Sequence, residues 1–171
     1  IQLAEGMGIS ARELVYWWVE EGVIKKTIVF LGKTTEEGKI QFYATGFLVN
    51  IQNIFHLVTA KHVVVDSRTG KFVDSGMLAF FNLKDGTVGS RSIDQIKKSI
   101  AVNWIFHEND DVDIALIPFG LDPQKDDVKT IPENLFLRSD RLFELYDVFF
   151  LSYQPGIQPQ KRYPQLSEME L

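Results

Sequence analysis

The chain contains three histidines, His56, His62 and His107, and His62 together with Asp113 is the pair with the clearest chemical potential. An imidazole takes up a proton near neutral pH. A carboxylate placed on its second nitrogen orients it as a base toward a hydroxyl nucleophile. Asp113 follows His62 by 51 residues, so only the fold can bring the two together. A metal site built from His56, His62, His107 and Glu108 is the competing chemistry. His56 and His62 are six apart, which suits neither a helical i, i+4 pair nor the usual zinc spacings. No metal and no cofactor are therefore expected. Lys84-Asp85-Gly86-Thr87 has the composition of a hairpin turn and lacks the glycines of a phosphate loop.

The residues around the pair carry more information than the pair itself. Ala44-Thr45-Gly46-Phe47-Leu48-Val49 is followed by His56-Leu57-Val58-Thr59-Ala60-Lys61-His62-Val63, and Asp111-Val112-Asp113-Ile114-Ala115-Leu116-Ile117-Pro118 lies downstream. These segments resemble the histidine and aspartate segments of trypsin-like (chymotrypsin-fold) serine peptidases, in the cysteine-free form common in bacteria. The resemblance covers roughly Ile28 to Gln165. It implies an all-β, trypsin-like antiparallel barrel, and it implies that a buried Asp113 orients His62 as general base and then acid in peptide-bond hydrolysis. Asp111 is a rival by proximity, but Asp113 begins the run that carries the likeness.

The family's third member, a serine in Gly-x-Ser-Gly, is missing. After Asp113 the chain offers Ser139, Ser152 and Ser167, none flanked by glycines. The backbone donors of such a turn are worth about 2.7–4 kcal/mol each in the transition state. The resemblance thus implies a serine endopeptidase-like domain that is inactive as it stands. The alternative is a non-catalytic peptidase-like binding domain, which keeps the His and Asp strands as architecture.

The elements that would position the pair are short strands. Thr27–Leu31, Ile40–Val49, Ile54–Thr59, Met77–Leu83, Thr87–Ile93, Val102–Phe106 and Ile114–Phe119 are apolar or β-branched, and Gly, Asn or Asp turns separate them. Ala60–Val65 suits one helical turn, which would lift His62 to the rim. Gly46 interrupts its strand where another backbone could approach closely. Before the strands, Ser10–Glu21 has helical spacing, with Ser10 and Glu13 as a capping box. The expected domains are an N-terminal helical segment over 1–23, a first barrel over 24–120, a connection over 121–145, and the incomplete start of a second barrel with a tail over 146–171.

Composition narrows the partners. The formal net charge is −5, with 45% hydrophobic and 24% charged residues, which is ordinary for a globular protein and argues against nucleic acid. No cysteine is present, so disulfides are excluded while the compartment stays open. No apolar run approaches the ~20 residues that span a bilayer. The first residue is Ile1 and not Met, which reads as a fragment or a processed product. The expected partner is a polypeptide substrate or another protein. Half of a two-barrel fold would also leave an apolar inter-barrel surface exposed, so self-association is expected.

Overall fold

The computed structural model describes residues 23–136. The helix expected over Ser10–Glu21 and the second-barrel start expected over 146–171 lie outside the described residues. Eight strands form one sheet: β1 (Ile28–Thr34), β2 (Ile40–Ile51), β3 (Ile54–Thr59), β4 (Leu78–Asn82), β5 (Val88–Ser92), β6 (Ile105–Phe106), β7 (Ala115–Pro118) and β8 (Ile131–Pro132). Two short helices interrupt them, α1 (Lys61–Val64) and α2 (Ile93–Ser99).

The β2–β3 hairpin sets the register of the centre. Ile51 pairs with Ile54, leaving Gln52 and Asn53 as a two-residue loop, with φ of 51° and 63°. Positive φ at both central positions matches the right-handed twist of the flanking strands, and Asn tolerates it well. Alternation then sorts the side chains. Leu48, Leu57 and Ile117 stand opposite one another across β2, β3 and β7, and all are fully buried in the core. The neighbouring rank, Phe47, Val58 and Leu116, points to the other face because side chains alternate along a strand. At Gly46 a Cβ atom would sit 2.6 Å from the Val58 carbonyl oxygen. The close backbone approach expected there is present, and it leaves room for no other residue.

The expected trypsin-like antiparallel barrel is overturned. The sheet runs β5-β4-β1-β2-β3-β7-β6, with β8 attached in parallel to β2, so β5 and β6 are free edges and the sheet does not close. No start of a second barrel occurs among the described residues. The reason lies at the two edges. Val102–Phe106 was expected to be a full strand, but only Ile105–Phe106 pairs, against β7. Trp104 turns into the core instead. At the other edge the chain leaves β5 directly into α2, where a strand continuing to Ile93 was expected. The Ser92 side chain accepts from the Gln95 backbone N–H and starts the helix, a capping arrangement that Ser-x-x-Gln encodes.

Side chains fill the open side that a barrel ladder would have joined. Ile93 from α2, Val64 from α1, Met77 from the loop before β4 and Trp104 belong to the same buried cluster as the strand residues. A buried carboxylate ties them together. Asp74 accepts from the Trp104 indole N–H at 2.6 Å and from Lys97 Nζ on α2 at 2.8 Å, both at Oδ2. On the opposite flank buried Asp126 accepts from Arg91 of β5 and from the Asp122 backbone N–H, each at 2.7 Å. The Arg91 guanidinium lies over the rings of Phe81 and Phe119. The segment from Leu121, expected as a connection, packs on the sheet as far as it is described. Asp126 bridges Leu83, the Asp127 N–H reaches Asn82, and β8 lies beside Val49 and Asn50.

Candidate functional site

His62 and Asp113 meet. Strand β3 ends at Thr59, whose hydroxyl donates to the Thr45 carbonyl and fastens the strand end to β2. Ala60 then turns the chain into α1, so His62 occupies the first turn of a four-residue helix. From the other direction the loop Asn109–Val112 folds on itself, with the Val112 N–H donating to the Asn109 carbonyl. This delivers Asp113 just before β7, whose Ala115 pairs with Thr59. The pairing of β3 with β7 is what converts 51 residues of sequence into contact.

The carboxylate grips His62 twice. Asp113 Oδ1 accepts from the His62 backbone N–H at 2.9 Å, and Oδ2 lies 2.5 Å from the imidazole Nδ1. The backbone N–H of His62, then its side chain, hold the Asp113 carboxyl below the usual carboxylate range. An ionised carboxylate can only accept, so Nδ1 must carry the proton and the neutral ring keeps its lone pair at Nε2. Nε2 has no hydrogen-bond partner among the described residues. The pair is open to water, with side-chain exposures of 67% for His62 and 51% for Asp113. The burial expected of Asp113 is thus corrected: its neighbours Asp111, Val112 and Ile114 do not enclose it, and the core begins at Ala115.

Other charges stand at the rim. Lys61 pairs with Asp110 at 2.8 Å and holds that carboxyl low as well. Asp111, the rival to Asp113, is exposed, and its backbone N–H donates to the Asn109 side-chain oxygen. His56 lies on β3 with Nδ1 bonded to the Ile54 carbonyl, and His107 accepts from the Asn109 N–H in the loop. No three His, Asp or Glu side chains come together as a metal set among the described residues. Sequence reasoning missed the grip of Asp113 on the α1 backbone, and no local signal encodes it. It also missed an apolar groove of about 470 Å³ that includes Ile114, next in sequence to Asp113, along with Phe47, Val58, Leu116 and Phe136.

No family model matches this chain, and no curated protein matches it by sequence. With the sheet open, this removes the basis for the peptidase reading. The trypsin-like serine endopeptidase domain is withdrawn, as is its alternative, a peptidase-like binding domain. Neither the barrel that defines that fold nor any sequence match supports them. What remains is a pair of side chains whose geometry stands independently of ancestry.

Proposed function

We propose that His62 and Asp113 form a general acid–base site that accepts a proton from a water or hydroxyl presented at Nε2. The observation that carries the reading is the bond from imidazole Nδ1 to an ionised Asp113, with Nε2 left facing solvent. The carboxylate fixes the tautomer, and it stabilises the imidazolium that forms once the proton has moved. Exposure keeps the effect modest, because water screens the pair. The site as described supplies the base, while the acid and the acceptor centre come from the ligand.

The test uses an activated aryl ester, which reports any base or nucleophile with a free imidazole lone pair. The full chain is expected to hydrolyse it about tenfold or more faster than His62→Ala, at the low end of what a positioned base contributes. His56→Ala and His107→Ala serve as controls for background histidine reactivity. Equal rates for the full chain and His62→Ala would end the proposal.

A second reading rests on a different observation. Ala60 at the N-cap of α1 has no side-chain acceptor, and Asp113 Oδ1 takes the orphan N–H of His62 in its place. The carboxylate then serves as a long-range helix cap. Asp113→Asn separates the two, since an amide oxygen can still accept from the backbone but carries no charge to hold Nδ1–H. In both readings the variant keeps its fold and loses only the stabilisation that depends on the Asp113 charge; in the capping reading it keeps its ester rate, and in the proton-transfer reading it loses it.

A further inference from the structure

Asp113 reaches His62 from a loop, and its carboxylate is half-exposed, so water competes for every bond it makes. The same loop has a second attachment to α1, at the residue before His62. The Lys61 ammonium donates to Asp110 Oδ1 at 2.8 Å, three residues before Asp113. Two successive residues of α1 thus hold two carboxylates of one loop. The Lys61 backbone takes part as well. The Asp113 carboxyl is held low by the His62 backbone N–H first, then by the His62 side chain, and least by the Lys61 backbone N–H.

Lys61 is itself well anchored. Its side chain is 25% exposed, against 96% for Asp110, so the fixed end of the ion pair belongs to the body and the loop is the part that is caught. The ammonium lies over the Phe106 ring, 5.6 Å from its centroid, within the range of a cation–π contact. Phe106 closes β6, immediately before the loop begins at His107. Its ring stacks on Phe72, with 6.2 Å between centroids. Lys97 Nζ stands 4.5 Å over Phe72 and bonds the buried Asp74. A run of contacts therefore leads from Asp74 through Lys97, Phe72 and Phe106 to Lys61. Within the loop, His107 Nδ1 accepts from the Asn109 N–H, and Asn109 Oδ1 accepts from the Asp111 N–H. These bonds stiffen the stretch that joins Phe106 to Asp113. An exposed ion pair adds little to global stability, but one attachment raises the effective concentration of the next.

We infer that Lys61, acting through Asp110, is a positioning residue for the His62–Asp113 pair: its ion pair holds the loop so that the Asp113 carboxylate stays on the His62 N–H and Nδ1. The positioning rests on the contacts alone, and its consequence for chemistry rests on the proton-transfer reading.

The experiment follows the Asp113 side-chain carboxyl carbon by NMR against pH, in the full chain at low ionic strength, for wild type, Lys61→Met, Lys61→Arg and Asp110→Ala. The Asp113 midpoint is expected to rise toward the ordinary carboxylate value in Lys61→Met and Asp110→Ala. It is expected to stay in place in Lys61→Arg, which keeps the charge and the reach. Asp110→Ala decides, because the sign separates positioning from plain charge. Removing a neighbouring negative charge by itself lowers the midpoint of a carboxyl, whereas losing the His62 hydrogen bonds raises it. Hydrolysis of the activated ester is expected to fall about twofold to fivefold in Asp110→Ala, the reach of an exposed ion pair. An Asp113 midpoint that is unchanged or lower in Asp110→Ala, or that rises equally in Lys61→Met and Lys61→Arg, would overturn the inference whatever the ester rates. A midpoint raised in Asp110→Ala, in a full chain that hydrolyses the ester no faster than His62→Ala, would uphold the positioning and end the proton-transfer reading.

Discussion

Removing the Asp74 carboxylate should loosen the side of the sheet that no strand closes. Asp74 is 3% exposed and accepts two donors at one oxygen, the Trp104 indole N–H and the Lys97 ammonium. In Asp74→Ala the indole N–H of a buried Trp104 loses its acceptor, which costs about 1–3 kcal/mol. Lys97 also loses its counter-charge. A fully buried pair broken on one side costs about 3–5 kcal/mol, but the Lys97 side chain is 20% exposed and can turn toward water, so only part of that applies. The two effects together give a loss of about 2–4 kcal/mol, or roughly thirtyfold to several hundredfold in the folding equilibrium. Asp74→Asn keeps an acceptor for the indole and should lose about half as much. Lys97→Met in the Asp74→Asn background should recover part of the loss, because the unpaired ammonium is gone. Equilibrium urea unfolding followed by far-ultraviolet circular dichroism measures all three, with the denaturant slope expected to stay constant. An Asp74→Ala loss below about 0.5 kcal/mol, or equal losses for Ala and Asn, would refute the view that this carboxylate fastens α2 and Trp104 to the core.

Three further outcomes follow from single positions. Ala101 has φ of 51° just after α2, where the Val102 N–H returns to the Lys97 carbonyl, so Ala101→Gly should raise stability by about 0.5–1 kcal/mol in the same urea assay. Gly46→Ala drives a Cβ into the Val58 carbonyl and should cost about 1–3 kcal/mol, read as a lower Tm. The Asp113 carboxyl is held low in the folded state. Its stabilising contribution is present above the unfolded carboxylate value near ~3.9 and is lost as pH falls through the lower folded value. An acid titration of wild type should therefore show a loss that Asp113→Asn, already neutral, lacks.

The legible parts of the fold were those set by local pattern. Ile54–Thr59 has its expected bounds, and the hairpin at Asp85-Gly86 and the helical turn around His62 follow from turn chemistry and alternation, while the turn expected over Asn50–Asn53 is shorter, Gln52-Asn53, because β2 runs on to Ile51. The pairing of His62 with Asp113 was also anticipated, though from a resemblance that the open sheet does not support. The error in fold came from the edges. Trp104 and Ile93 have strand-compatible surroundings in sequence, yet one dives into the core beside Asp74 and the other begins a helix. Asp74 and Asp126 carry no local mark of burial, because the partners that make it tolerable, Lys97, Trp104 and Arg91, lie 23–35 residues away in sequence and meet them through tertiary packing. The capping signal Ser92-x-x-Gln95 was present and would have placed α2.

The most direct test of the central claim is a long-range proton–nitrogen correlation spectrum of the imidazoles, recorded where the rings are neutral, on wild type and Asp113→Asn. His62 is expected to show a protonated Nδ1 and a bare Nε2 in wild type, with a preference that weakens when the carboxylate is replaced by an amide. A His62 ring that carries its proton on Nε2, or whose spectrum is the same with and without the Asp113 charge, would contradict it.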